Sequence, residues 1–208
     1  MAAVADSARA RRTQADRRAH TRNALLEAAA RGLSRYGYAN LVLERVASDA
    51  GYTRGALYHL FANKEELALA VVAWVQETWY AEMAPLIADR SDPVGALAGL
   101  ARDHAVYCRK DVARVMMTLR VEFSGQDHPV GRAAAAAGAR VVADCTRLIS
   151  AGRRSGAIPP GPPPRLLAAA LVGAVEGLVI SLAGRAPFDA VLAERAALGI
   201  LGLSPSRS

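Results

Sequence analysis

From Thr21 onward, apolar residues recur at helical spacing. Ala24, Leu25, Ala28, Ala29 and Leu33 share one face. This helix is predicted to stop at Tyr36-Gly37, where glycine suits a left-handed cap. A short helix over about 43–50 follows, then a tight turn at Gly51-Tyr52 and a second short helix over about 53–61. Thr53 can cap the second, because its hydroxyl can accept from the first-turn amides. Asn63 and Glu66 form a capping-box pattern that opens a helix to about residue 83, before Pro85. Beyond it, breakers separate helical patterns over about 94–109, 111–124, 130–154, 165–184 and 188–201. Ser91-Asp92-Pro93 opens the first of these, and Asp111 opens the second. The proline-rich run 158–164 reads as an extended connector. Residues 1–19 show no apolar period and read as a disordered basic arm. No strand alternation is present, so the fold class is all-α, with about nine helices. The chain divides into the arm (1–19), a three-helix unit (20–64) and a larger helical domain (65–208).

Composition supports helices. Hydrophobic residues make up 52% of the 208 positions but aromatic residues only 5%, and Ala and Leu, which lose little on entering a helix, outnumber β-branched residues. Charge is uneven. Residues 1–64 hold eleven Lys/Arg against five Asp/Glu, net +6 of the chain's +7. That is the footprint of a module that binds a polyanion, joined to a neutral one; a merely solvated basic surface is the plainer alternative. Cys108 and Cys145 have no metal-ligand spacing and suggest no disulfide framework. No apolar segment follows the N-terminal arginines as in a secretory signal. The expected location is cytoplasmic. The stretch 166–183 is apolar enough to raise a membrane span, but Glu176 interrupts it, and a charge at bilayer depth is costly. It is expected to be a helix buried in protein.

The segment Val46-Ala47-Ser48-Asp49-Ala50-Gly51-Tyr52-Thr53-Arg54-Gly55-Ala56-Leu57-Tyr58-His59-Leu60-Phe61 carries the function. Two short helices that cross steeply need a small residue at the crossing, and Ala47 supplies it. Their turn needs a residue tolerant of positive φ, and Gly51 supplies it. Val46, Ala50, Leu57 and Phe61 can form an apolar wedge against Leu25 and Leu33. Together these match a helix-turn-helix that reads DNA. The outward side of its second helix holds Thr53, Arg54, Gly55, Ala56, Tyr58 and His59. Arg54 suits guanine or phosphate, Ala56 a thymine methyl group, and Tyr58 and His59 phosphate oxygens. Gly55 keeps the helix front small. Lys64 offers another phosphate contact.

These residues, with Arg22…Leu26-Glu27-Ala28-Ala29, Tyr36-Gly37-Tyr38 and Asn63-Lys64-Glu65-Glu66-Leu67, resemble the N-terminal domain of the TetR/AcrR family of regulators. The resemblance covers about 21–71. It implies DNA contacts at Arg22, Thr53, Arg54, Gly55, Ala56, Tyr58, His59 and Lys64. It implies a C-terminal domain that binds a small-molecule effector and dimerises through the last two long helices. The partner is then double-stranded DNA with a palindromic operator, and repression is the family's commoner habit. One departure stands out: Leu41 and Val42 occupy positions where the family usually has Thr or Ser, leaving Asn40 to cap the second helix.

Effector candidates are Trp74, His104, Tyr107, Met116, Phe123 and Glu176. Glu176 needs a partner: an arginine, a polar network or a cationic ligand. A mostly apolar lining suits a hydrophobic molecule. No cofactor, metal site or enzyme activity is expected, since the chain shows neither a phosphate loop nor a nucleophile elbow. A non-specific architectural DNA binder is the alternative function, motivated by the basic arm.

Overall fold

A computed structural model describes residues 2–110, 112–182 and 185–204, with side chains from Thr13 onward. Among the described residues there are nine helices: α1 (Ala2–Tyr36), α2 (Leu43–Asp49), α3 (Arg54–Leu60), α4 (Lys64–Ala88), α5 (Pro93–Tyr107), α6 (Val115–Glu122), α7 (Pro129–Ser155), α8 (Pro164–Ser181) and α9 (Phe188–Ile200). The expected helix opening at Asp111 and the end of the 165–184 pattern, at 183–184, lie outside the described residues.

Two expected boundaries are corrected. α1 runs back through the stretch read as a disordered arm. Its first twenty residues lack an apolar face, but they are rich in Ala and Arg and contain neither Gly nor Pro, so helix propensity favours continuation. α4 passes through Pro85 instead of stopping before it. Leu86 and Ile87 still pack against the core beyond the proline, and the Asp89 amide closes the last turn on the Pro85 carbonyl at 3.2 Å.

Two apolar clusters organise the chain. The first joins Leu25, Leu26 and Leu33 of α1, Val46, Leu57 and Phe61 of the α2–α3 pair, and Leu67, Val71 and Val75 of α4. It also takes in Val115, Leu119 and Phe123, together with Val130 of α7. The core of the N-terminal helices therefore extends past residue 64 and includes one face of α6. The second cluster lies among α4, α5, α7, α8 and α9, around Met83, Leu97, Leu148 and Ile149. α4 threads both clusters and α6 lies against the first.

The link between α1 and α2 is tightly held. Gly37 adopts φ +74° and its amide bonds to the Leu33 carbonyl at 3.0 Å. The next two amides, of Tyr38 and Ala39, donate to the two oxygens of Glu122 at 2.6 and 2.7 Å. Lys64 donates to the Ala39 carbonyl at 2.8 Å. Asn40 does not cap α2. Its amide group donates back to the Tyr36 carbonyl at 3.1 Å, and the cap residue Val42 offers no side-chain bond. Leu41 fills the space over Gly32, where an added Cβ would lie 2.7 Å from its Cδ1. Packing, in place of a hydroxyl cap, fixes the start of α2.

A Cβ at Gly37 would also meet Glu122 Oε2 at 2.7 Å, whereas at Gly125, with φ +75°, nothing lies within 4 Å. Gly125→Ala therefore carries the backbone strain alone, about 1–2 kcal/mol. Gly37→Ala is expected to cost more than Gly125→Ala in urea denaturation and to speed hydrogen exchange at Tyr38 and Ala39. Equal losses would mean that the Glu122 contact contributes nothing.

Candidate nucleic-acid interface and effector cavity

The α2–α3 pair has the geometry that a reading head needs. Gly51 sits at φ +75°, and the Tyr52 amide bonds to the Ala47 carbonyl at 2.9 Å, closing the turn. Thr53 Oγ1 accepts from the Ala56 amide at 3.2 Å, so this hydroxyl caps α3. Leu57 and Phe61 point inward and are buried, while Ala56 and Ala50 are half-buried. Thr53, Arg54, Gly55, Tyr58 and His59 are exposed along the opposite side. The Arg54 guanidinium lies 5.2 Å from the Tyr58 ring centre and 3.2 Å from Glu44 Oε1. The surface ion pair is weak and easily exchanged for another anion. A Cβ at Gly55 would meet only Thr53 Oγ1, at 3.8 Å. Nothing inside the protein requires glycine there.

Two candidates at this face are already engaged within the chain. Lys64 holds the Ala39 carbonyl and lies 4.8 Å from the Tyr38 ring, so its first role is to pin the α1–α2 link. Arg22 is exposed, with its guanidinium 5.8 Å from the ring of Phe61, the residue that ends α3.

The second site is a partly open cavity of about 110 Å³ lined by α4, α5, α6, α7 and α8. A single water needs roughly 10–15 Å³ on the same measure, so a small organic molecule fits. Of the six effector candidates, His104, Tyr107, Met116 and Glu176 line it. Trp74 and Phe123 do not. Trp74 lies in a polar depression beside Glu27, Arg31 and Lys110, while Trp79, five residues further along α4, turns into the cavity. Phe123 stacks on His128 at 4.3 Å and meets Tyr38 edge-on at 5.3 Å, inside the N-terminal core.

Most polar groups around the cavity are already satisfied. Trp79 Nε1 donates to His104 Nδ1 at 3.0 Å. That leaves the imidazole proton on Nε2, which lies 3.5 Å from Cys108 Sγ. Burial lowers the pKa of His104 to about 4, so the ring is neutral. The Tyr80 hydroxyl donates to Asp144 Oδ2 at 2.6 Å, and burial together with that bond raises its pKa. Burial pushes Cys108 and Cys145 up to about 12, so both thiols stay protonated. Glu176 has the arginine partner it needs: Arg120 Nη1 donates to its Oε1 at 2.5 Å. Arg120, Gln76, Trp79 and Tyr80 were absent from the sequence candidates; the first two are polar residues whose inward aim no local pattern marks.

The region 25–71 matches the model of the bacterial regulatory proteins of the tetR family. Residues 25–71 therefore carry the N-terminal region by which that family is defined. It is 43% identical over 67 residues to the HTH-type transcriptional regulator CymR of Pseudomonas putida, a match that spans 32% of this chain and 33% of that relative. The chain thus spans about a third of that curated relative's length. Two solved structures share the whole fold. The MbdR regulator from Azoarcus sp. CIB has a TM-score of 0.73 at 18% identity, covering 89% of this chain and 100% of that one. SmeT, solved with triclosan, has a TM-score of 0.66 at 25% identity, covering 88% of each chain.

His104 gives the cavity a signature in pH. Its native pKa of about 4 lies below the ordinary 6.5. Between these values the unfolded chain binds a proton that the native chain resists. Stability is therefore full above about pH 6.5 and falls as pH drops toward 4, by on the order of 3 kcal/mol. His104→Asn is expected to flatten this part of the pH–stability curve in chemical denaturation. An unchanged slope would mean that the imidazole is not held neutral by burial.

Proposed function

We propose that this chain is a sequence-specific DNA-binding transcription regulator. It acts as a homodimer on a palindromic operator and is released from it by a small, largely hydrophobic ligand. The observation that carries the reading is the outward face of α3: Arg54, Tyr58 and His59 are exposed around Gly55, a glycine that internal packing does not require. A small residue at that point allows the helix to approach the floor of a major groove.

A duplex selected by the full-length protein from a random library tests this. Arg54→Ala with Tyr58→Ala is expected to lower affinity for that duplex at least about a hundredfold, since each lost base or phosphate contact costs ~1–3 kcal/mol. Gly55→Ala is expected to weaken binding without lowering the Tm. Affinity for the selected duplex about 10³-fold or more above random DNA supports the regulator; a ratio near one supports an architectural binder and sinks the proposal.

The dimer reading is supported by α8 and α9. α8 was expected to be buried, but only Leu167, Ala168, Leu171, Val175 and Val179 are covered within the chain. Its length and composition alone would allow a membrane span, but Leu171 and Val175 wall a cavity on the protein side. On the other side Leu166 and Ile180 of α8 and Phe188, Val191 and Leu192 of α9 are exposed. Added Cβ atoms at Gly173 and Gly177 would meet nothing within 4 Å. A second copy covers such a face economically, and two-fold symmetry then places two α3 helices about one DNA turn, roughly 34–36 Å, apart. Ile180→Arg with Leu192→Arg is expected to convert the dimer to a monomer in sedimentation equilibrium; an unchanged mass would place the interface elsewhere.

The ligand reading is supported by the cavity's apolar walls and by SmeT, a protein of the same fold solved with triclosan. α4 and α6 line the cavity and also supply Lys64 and Glu122, which hold the α1–α2 link. A ligand that favours a different placement of these helices shifts the dimer toward a spacing that DNA does not fit.

A further inference from the structure

The cavity's polar end narrows the chemistry of its occupant, an inference that rests on reading the cavity as the effector site. Trp79 and His104 bond to each other, and Tyr80 is spent on Asp144. None of these groups has its main donor left for a ligand. The Tyr107 hydroxyl is engaged with Thr78. Besides the neutral amide of Gln76, the charged polar feature is the partly exposed pair Arg120–Glu176, which brings α6 and α8 together at 2.5 Å on the cavity wall. The pair is neutral as a unit. One guanidinium N–H goes to Glu176 Oε1, leaving further donors on Arg120 and further lone pairs on the carboxylate.

Three kinds of ligand end can be compared against that pair. A carboxylate would gain Arg120 but face Glu176, and an ammonium would do the reverse. Each brings a net charge against walls that are otherwise apolar and a His104 that carries none. A pure hydrocarbon displaces water from the pair and returns no hydrogen bond. A hydroxyl donates to the carboxylate and accepts from the guanidinium, and it leaves the ion pair intact. We infer that the effector is a neutral, mostly apolar molecule with one hydroxyl, an alcohol or phenol, whose oxygen is bound between Arg120 and Glu176.

Equilibrium dialysis of the full-length protein against four matched probes tests this: 2-naphthol, 2-methylnaphthalene, 2-naphthoate and 2-naphthylmethylammonium. The expected result is that 2-naphthol binds about tenfold or more tighter than each of the others. Glu176→Gln removes the negative partner, so 2-naphthoate is expected to gain about tenfold relative to 2-methylnaphthalene. Arg120→Gln is expected to give the same gain to 2-naphthylmethylammonium. A purely structural ion pair would change all four affinities alike, which overturns the inference. So does wild-type protein that binds 2-naphthol no better than 2-methylnaphthalene, or that prefers a charged probe. Retained binding of 2-methylnaphthalene shows that each variant keeps its cavity. If none of the four probes binds a protein that still holds its selected duplex, the effector reading of the cavity falls, and this inference falls with it.

Discussion

The carboxylate of Glu122 closes the fold's central joint. The left-handed turn at Gly37 takes the chain out of α1, so the amides of Tyr38 and Ala39 have no carbonyl of that helix to bond and donate to Glu122 instead. A charged acceptor that takes two amides at once is a strong, directional tie. Lys64 binds the carbonyl of the same short link from the other side. The orientation of α2 and α3 relative to the rest of the chain therefore depends on the end of α6 and the start of α4. Neither helix belongs to the reading head, yet both also wall the cavity, through Trp79 on α4 and Met116 on α6.

What could be read from residue order was local. Gly51, Thr53 and the Asn63–Glu66 pair act within a few positions of themselves, and the structure shows the turn, the α3 cap and the α4 cap where the spacing predicts them. The α1 start and Pro85 were misjudged for a common reason. Apolar periodicity and proline mark where a helix is buried or weakened, but continuation depends on propensity in one case and on Leu86 and Ile87 packing in the other. At the cavity, Trp74 and Trp79 differ by rotation around α4, which a helix without a distinct polar face does not reveal. Phe123 caps the end of α6, and its ring packs against Tyr38 in the first core. Arg120 and Glu176 lie 56 residues apart, so the need of Glu176 for a partner could be stated from sequence but the partner could not be named.

Trp79, His104, Tyr80, Arg120 and Glu176 on the cavity wall are each bonded to a neighbour within the chain. Each internal bond there stabilises the empty state and lowers the gain available to a charged ligand. This also accounts for the two thiols. Surrounded by apolar neighbours, Cys108 and Cys145 are held protonated, which removes the thiolate that redox or covalent chemistry would need. The walls contribute affinity through apolar area, and discrimination is left to the few groups whose bonding capacity is not exhausted.

α8 ties the two proposed events to one another. Leu171 and Val175 face the cavity, Gly173 and Gly177 face outward, and Glu176 sits between these sides with Arg120. In the proposed dimer the outward side meets a second copy, so a molecule that presses on Leu171 or draws Arg120 toward itself acts on the interface through one rigid helix. Arg120 in turn is two residues from Glu122 on α6. A ligand at this point would thus touch the helix proposed to form the subunit interface and the helix whose Glu122 holds the α1–α2 link. Only a difference in ligand affinity between two such arrangements can shift DNA binding. The Arg120–Glu176 contact, which joins α6 to α8, is where that difference would arise with the smallest movement.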